Sequence, residues 1–260
     1  MSWKITKVGK IPKLKNPVFI EGLPGIGNVG KIAVDFIVEE LKAKKIYDLF
    51  SYTLPHSVFV NEDNLVELPK IEIYCKKTKK QDLLFLIGDL QPLDEVSNYE
   101  FCESILDILE ELGCKEIITV AGIGLQNIPK KPKVYCTGND KDMIKRYKKG
   151  TKLKDELYGV VGPIVGVSGI LLGLSKKRNI PAIGFLAETL GHPMYLGIKG
   201  SKEIVNILNK KLDLKIDVNK LEKEIKDLEK EMLKRTEDLI NVTKKNPMGL
   251  KGKKDSSYIG

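Results

Sequence analysis

The feature that most constrains the fold is a glycine-rich segment, Gly22–Gly30. It follows a short run of β-branched and aromatic residues, Pro17–Glu21, and it precedes apolar residues that recur at helical spacing over 32–41. This order predicts a strand, a tight turn and a helix. Predicted strands and helices continue to alternate over residues 17–210, which is typical of a mostly parallel sheet with helices on both faces. A predicted hairpin over 57–76 makes the expected sheet mixed, so we expect an α/β fold.

The glycine turn has two interpretations. Gly25, Gly27 and Gly30 match the G-x-G-x-x-G pattern, whose glycines let the backbone of dinucleotide enzymes approach a pyrophosphate at a helix N-terminus. The acid expected at the end of the second strand would be Asp48, but the apolar pattern continues past it, and Pro24 gives the turn a different start. The alternative is that the glycines allow close packing of helix on strand and a left-handed backbone. The local pattern favours packing and leaves nucleotide binding open.

Three acidic residues and a second glycine turn are predicted at the ends of strands. Glu21, Asp89, Glu188 and the turn Gly122–Gly124 all lie at or just after apolar strand patterns. The carboxyl ends of parallel strands share one edge of a sheet, where ligands usually bind. The residues expected to form either a pocket or a structural turn at this edge are Glu21, Gly25, Gly27, Asn28, Gly30, Asp89 and Glu188. The acids could instead cap helices or contact another subunit.

The sequence does not favour catalysis or metal binding. No lysine completes a phosphate-binding loop of the Walker type, and Gly166–Gly169 resembles a nucleophile elbow except that Ile170 replaces its final glycine. The two histidines, His56 and His192, are too few for a histidine-rich metal site. The four cysteines lack the two-residue spacing of zinc or redox motifs, so we expect buried, reduced thiols. We therefore expect no enzyme activity, no cofactor and no metal.

Charge and hydropathy also bear on the partners. The net charge of +9 comes from 44 basic and 35 acidic residues, and the basic residues are mostly lysines scattered among acids. A nucleic-acid partner is not expected from this pattern, because it lacks a basic face interleaved with aromatic residues. We expect no membrane-spanning segment from the sequence. The first residues lack the apolar core of a signal peptide, so we expect a cytoplasmic protein.

The C-terminal part has a different pattern. Residues 1–215 are expected to form the α/β core, and 216–241 predict an amphipathic helix whose apolar residues are spaced three and four apart. This helix is too short for a stable coiled coil by itself, so it would pack on the core or on a partner. Residues 242–260 predict a flexible, basic tail that ends in Tyr258-Ile259-Gly260.

The sequence also predicts where some elements begin and end. Ser97 and Ser201 are N-cap residues by type, and we expect them to start two helices, the first of which ends at Gly113. The apolar strand Ile117–Ala121 is expected to end at the Gly122–Gly124 turn. A further strand is expected over Ile180–Leu186.

Several stretches together resemble a known family. Residues 17–239 resemble the archaeal and bacterial branch of the proteasome assembly chaperone family, the family of proteasome assembly chaperone 2. The matching stretches are Glu21–Gly30, Ile87–Pro92, Ala121–Gly124, Gly166–Leu172 and Pro181–Thr189. The resemblance implies an α/β fold akin to nucleoside phosphorylases without their catalytic residues. It also implies homo-oligomers that help proteasome α-subunits assemble or that dock on the α-ring.

The resemblance extends to the chain end. Some family members end in a hydrophobic residue, tyrosine and any residue, and this tail inserts between α-subunits. Here Tyr258 is third from the end and follows Ser257, so the tail departs from that pattern. We take Tyr258, Ile259 and Gly260 as the predicted partner-binding residues. The alternative function is a nucleotide-like small-ligand-binding enzyme or sensor that uses the turn at Gly25–Gly30.

Overall fold

The computed structural model describes residues 3–157, 162–193 and 195–221, and an eight-stranded mixed sheet lies at its centre. The strand order is β1-β3-β6-β7-β2-β8-β10-β9, and β4 pairs with β5 in a separate hairpin. The strands are β1 (Trp3–Lys7), β2 (Val18–Glu21), β3 (Lys44–Ser51), β4 (Phe59–Val60), β5 (Val66–Glu67), β6 (Ile71–Lys76), β7 (Leu83–Gly88), β8 (Glu116–Leu125), β9 (Val134–Gly138) and β10 (Ala182–Leu190).

The parallel part of the sheet is its centre. Strands β7, β2, β8 and β10 run parallel to one another, whereas β1, β3, β6 and β9 pair antiparallel. The central strands are buried on both faces, which explains the uninterrupted apolar runs of β2 and β7. In β6 the residues alternate between buried and half-buried, as the period-two pattern of the sequence predicts for an antiparallel strand. The mixed α/β fold expected from the sequence is confirmed.

Helices cover both faces of the sheet. They are α1 (Val29–Glu40), α2 (Glu95–Glu111), α3 (Lys141–Lys148), α4 (Val167–Lys177) and α5 (Ile198–Leu212). Helices α1 and α5 pack together on one face, and α2 and α4 pack together on the other. Arg178 follows α4 and bonds to three acids of α2, with distances of 2.5 Å to Glu103, 2.9 Å to Asp107 and 2.6 Å to Glu110.

Strand β1 was not expected from the sequence. It runs antiparallel to β3 at the sheet edge, and four of its five residues are exposed. Its buried residue is Trp3, whose ring lies 4.5 Å from that of Phe101 on α2. One aromatic contact therefore anchors the start of the described chain to the core.

Two predicted helix starts are wrong. Helix α2 begins at Glu95 rather than Ser97, because the carboxylate of Asp94 caps it by accepting the Ser97 N–H at 2.9 Å. Helix α5 begins at Ile198, and Ser201 lies in its first turn. The Ser201 hydroxyl donates to the Val29 carbonyl at 3.0 Å, so this serine links α5 to α1 instead of capping a helix.

Two predicted strand ends are also wrong. Strand β8 continues through Gly122–Gly124 to Leu125, and β10 continues beyond Leu186 to Leu190 in parallel register with it. A Cβ atom at Gly122 would lie 2.2 Å from the Ile26 carbonyl oxygen. Glycine is therefore needed here because another backbone segment passes directly over the strand, and not because the chain turns.

The chain divides into two compact units, Met1–Val218 and Asn219–Gly260. Beyond Leu221, the predicted amphipathic helix of 216–241 lies outside the described residues. So does the predicted tail of 242–260, with its partner-binding residues Tyr258, Ile259 and Gly260. Among the residues that are described, no helix is both long and apolar enough to cross a membrane.

Candidate functional site

A cleft of about 790 Å³ opens at the carboxyl edge of the central strands. This volume lies in the range of small-molecule sites, and the edge is where α/β sheets commonly bind ligands. Five segments form its walls: the glycine turn and start of α1, the loop into α2, the end of β8, the loop before α4, and the start of α4. The lining residues are 23–26, 30, 91–93, 95, 98–99, 120–124, 162–166, 168 and 170, together with Leu186 of β10.

The glycine turn forms one wall through close backbone packing. The chain makes a short 3-10 turn at Ile26–Asn28, with Gly27 and Asn28 in the left-handed region at φ 61° and 50°. A Cβ at Gly30 would lie 2.3 Å from the Val120 carbonyl oxygen, so α1 can approach β8 only with glycine at this position. By contrast, Gly25 is extended at φ −160°, and a Cβ there would meet no atom within 4 Å. The third motif glycine is thus required by packing, and the first is not.

Glu21 lies directly behind the cleft wall and is completely buried. Its carboxyl group accepts hydrogen bonds from the Leu23 backbone N–H at 2.9 Å and from the Ser168 hydroxyl at 2.8 Å. Burial raises the pKa of Glu21 to about 7, and these hydrogen bonds oppose the shift. An N–H of the glycine turn is therefore already bonded to an acidic side chain of the protein. A phosphate at this turn would lie close to a group that carries partial negative charge at neutral pH.

Gln91 connects the two sides of the cleft. Its Nε2 donates to the Pro24 carbonyl of the glycine turn at 2.7 Å, and its Oε1 accepts from the Val167 N–H at the start of α4 at 3.2 Å. Gln91 was not predicted as a site residue, although the stretch Ile87–Pro92 that contains it is one of those that carry the family resemblance. Nothing in the local sequence distinguishes a glutamine that bridges two segments from any other glutamine in a loop between a strand and a helix.

Asn98 supplies an unsatisfied acceptor among the lining residues. This α2 residue is 7% exposed, and its Nδ2 donates to the carbonyls of Pro92 at 3.0 Å and Asp94 at 2.9 Å. Those two bonds fix the orientation of the amide, and its Oδ1 is buried without a partner. Among the described residues of the lining, Glu95 is the only charged one. These residues therefore offer no cation to a phosphate, and their composition suits an uncharged, mainly apolar group.

The other two predicted acids, Asp89 and Glu188, are also outside the cleft lining. Asp89 accepts the Lys70 N–H at 3.0 Å and lies 3.7 Å from the Lys31 ammonium. Glu188 lies inside β10, where it accepts the Lys133 N–H at 2.9 Å and the Tyr135 hydroxyl at 3.3 Å, on the side of β9. Each of these acids is therefore hydrogen-bonded to the backbone of another segment.

The remaining turn residues also make backbone contacts. Gly27 accepts the Gly197 N–H at 2.7 Å, and the Asn28 N–H donates to Gly25 at 2.9 Å. The structure therefore brings Gly25 and Gly30 into the cleft lining with Glu21 behind them. It places Gly27, Asn28, Asp89 and Glu188 outside the lining.

The chemistry of the described residues contains no activated thiol. The four cysteines are free and buried, as predicted, and burial raises the pKa of each thiol. Within the described ranges, no group of three or more His, Cys, Asp or Glu side chains is arranged to hold a metal ion.

The mouth of the cleft is apolar. Ile26, Leu93, Val96, Tyr99 and Val165 are all more than half exposed, and Val165 reaches 84%. Four of them line the cleft, and Val96 lies one helical turn from Tyr99 along α2. Exposed apolar side chains grouped around a cleft, here called the apolar rim, are typical of a surface that contacts another molecule.

The PAC2 family model matches residues 19–235. The chain belongs to the PAC2 family. It is 31% identical over 258 residues to the uncharacterized protein MJ1210 of Methanocaldococcus jannaschii, covering 98% of this chain and 96% of that protein.

Two crystal structures from Pyrococcus furiosus share the PAC2 fold of this chain. PbaB, described as an archaeal proteasome activator, is 35% identical with a TM-score of 0.81, covering 91% of this chain and 99% of PbaB. PbaA, described as an archaeal homolog of proteasome-assembly chaperone, is 26% identical with a TM-score of 0.74, covering 95% of this chain and 99% of PbaA.

Proposed function

We propose that this PAC2 protein is a non-enzymatic chaperone or adaptor of the proteasome, which binds α-subunits and assists their assembly or docks on the α-ring. The observation that carries the proposal is the likeness to PbaB, which extends over nearly the whole described fold at a sequence identity well above the level at which only the fold is shared. The apolar rim of the cleft supports a role in binding proteins, because such a rim exposes side chains that water solvates poorly.

A non-enzymatic role is supported by the contacts of Ser168, the residue of the elbow-like sequence. Its hydroxyl donates to the buried Glu21, which in turn accepts the Leu23 N–H. The pair joins α4 to β2, so both groups have a structural use that requires no reaction.

The chain end is the proposed contact with α-subunits. Tyr258, Ile259 and Gly260 follow five lysines in the last 17 residues, so an aromatic and an aliphatic side chain stand at the end of a basic segment. Such a segment suits a groove with an apolar floor and acidic surroundings. We also propose that the protein forms homo-oligomers, so that several chain ends meet one ring and bind it together.

Size-exclusion chromatography with purified α-subunits tests this proposal. We expect co-elution of the full chain with α-subunits, or a change in the rate of ring formation, and loss of either effect when residues 256–260 are deleted. The matched control replaces Ser256 and Ser257 with alanine and keeps the last three residues. Absence of any effect by the full chain would refute the chaperone role, whereas equal binding by the truncated chain would refute only the role of the tail.

A second candidate function is favoured by the volume of the cleft. A cleft of about 790 Å³ could bind a nucleotide-like small molecule as a sensor or an enzyme. Because the described residues of the lining include no cation, we expect a nucleoside such as adenosine to raise the melting temperature more than ATP or NAD. A flat thermal-shift screen with adenosine, ATP and NAD would refute this candidate.

A further inference from the structure

The hairpin β4–β5 stands outside the main sheet. Its two strands pair antiparallel with Phe59 opposite Glu67 and Val60 opposite Val66, and the main sheet continues with β6 after Pro69. An isolated two-stranded hairpin is marginally stable in water unless another layer covers it. A hairpin of this kind is therefore expected to pack against another surface.

One face of this hairpin is entirely aliphatic. Side chains alternate between the two faces of a strand, so Val60 and Val66 point the same way, and extending the register by two residues adds Val58 and Leu68 to that face. These four residues, the aliphatic face, are exposed by 54%, 64%, 70% and 58% in chain order. Core-type residues thus occupy a surface that is mostly open to water.

The charged residue of the paired strands, Glu67, lies on the other face of the hairpin. Glu67, next to Phe59 across the strands, accepts a hydrogen bond from the Asn61 amide at 2.9 Å and forms an ion pair with Lys70. None of the four residues of the aliphatic face is charged. A partner that recognised charge would find nothing to bind there, whereas an equally apolar surface would fit.

The exposed area is a substantial part of what a standard interface uses. The four side chains of the aliphatic face expose on the order of 250 Å² of apolar surface, from about 100 Å² per aliphatic side chain weighted by exposure. A standard interface covers about 800 Å² per partner, and somewhat more than half of it is apolar. The aliphatic face can therefore supply roughly half of the apolar share of one standard interface, and the residues around it would supply the rest.

We propose that the aliphatic face of the β4–β5 hairpin is the contact between two copies of this chain, packed face to face about a two-fold axis. A two-fold contact brings the same patch of each copy together, so an uncharged aliphatic patch complements itself. A second copy is also the one partner that is always present when the chain is, which suits a surface too apolar to remain in water. The inference rests on the proposed homo-oligomer and names the surface that forms it.

Charge substitution tests the contact in the full-length protein. The test variant is Val66→Asp, and the matched control is Val165→Asp at the mouth of the cleft, where the valine is even more exposed. Light scattering after size exclusion should give a multiple of 29.1 kDa for the unaltered chain and for the control. The Val66→Asp protein should have a smaller mass with an unchanged circular dichroism spectrum.

Cysteine crosslinking supplies a positive signal that does not depend on disrupting the protein. All four natural cysteines are buried, so a single introduced cysteine becomes the accessible thiol of the described surface. With a short bis-maleimide, Val66→Cys should give a crosslinked dimer in denaturing gels. The unaltered chain and Val165→Cys should remain monomeric in the same gels.

The possible results distinguish a failure of the hairpin contact from a failure of the homo-oligomer. A monomeric unaltered chain would refute both the homo-oligomer and this contact. An oligomer that survives Val66→Asp, or that crosslinks through Val165→Cys and not through Val66→Cys, would overturn the hairpin contact and leave the homo-oligomer standing. Loss of mass in Val66→Asp alone, together with crosslinking through Val66→Cys, would support the proposal.

Discussion

The buried carboxyl of Glu21 makes a sharp prediction about stability and pH. Burial raises its pKa from 4.5 to about 7 in the folded state, so folding favours the protonated form. The contribution of this group to stability is greatest below pH 4.5, where the folded and unfolded states are both protonated. It is lost as the pH rises through 4.5 to 7, because the unfolded chain releases the proton first. The shift corresponds to roughly 3 kcal/mol, since one pKa unit is about 1.4 kcal/mol.

Replacing Glu21 with glutamine removes this dependence. In the glutamine variant the amide oxygen can still accept the Leu23 N–H at the position of Oε1, and the amide NH2 at the position of Oε2 can donate to the Ser168 hydroxyl oxygen, while the side chain stays neutral at every pH. We expect the free energy of unfolding of Glu21→Gln, relative to the unaltered chain, to rise by roughly 3 kcal/mol between pH 4.5 and pH 8. Urea denaturation at fixed protein concentration measures both proteins across this range.

An exposed carboxyl provides the control. Glu39 lies on the surface of α1, and Glu39→Gln should change the unfolding free energy by no more than about 0.5 kcal/mol at any of these pH values. A difference between Glu21→Gln and the unaltered chain that stays flat from pH 4.5 to pH 8 would show that the buried carboxyl titrates normally, and the reasoning would fail.

Three further substitutions test the structure. Gly30→Ala should destabilise the protein by about 1–3 kcal/mol because its Cβ would overlap a backbone oxygen of β8, while Gly25→Ala should change stability by less than about 0.5 kcal/mol; equal effects in urea unfolding would contradict the packing interpretation. Gln91→Ala should cost about 1–2 kcal/mol and speed amide exchange at Val167, and unchanged exchange would count against the bridge. Arg178→Ala should cost about 1 kcal/mol at low salt and less at high salt, and a salt-independent loss would show that packing rather than charge is involved.

The sequence predicts the buried elements of this fold well because burial leaves a regular pattern. The continuous apolar run of β7 and the alternation in β6 each reflect the number of faces that the strand buries. Strand β1 lacks such a pattern, because four of its five residues face water and its single buried side chain, Trp3, contacts a helix nearly a hundred residues later. Edge strands of this type depend on tertiary contacts that a local window does not contain.

Element boundaries are harder to predict because cap residues are ambiguous. Asp94 and Ser97 are both typical N-cap residues, and the structure uses the carboxylate, which also complements the positive end of the α2 dipole. Ser201 is polar for a reason that local sequence does not reveal, since its partner is the carbonyl of Val29 on another helix.

The site was predictable in its position but not in its contacts. The position follows from the topology of parallel strands, which places the segments after β2 and β8 at one edge. The contacts depend on long-range pairs, such as Glu21 with Ser168 and Gln91 with Pro24, that are separated by tens of residues or more. In the sequence, Asp89 and Glu188 show the same pattern as Glu21, an acidic residue at the end of an apolar strand. Only the fold shows that their carboxylates bond to neighbouring segments.

The bridge made by Gln91 has a consequence for how the cleft can respond to anything that enters it. One amide is bonded at both ends, to the glycine turn and to the first N–H of α4, so neither wall can shift independently without breaking a hydrogen bond. The two walls of the cleft are therefore held in position once the chain has folded, before any molecule binds. A molecule that uses this cleft would meet a preorganised shape, and it would lose less affinity to the immobilisation of loops than it would on a mobile surface.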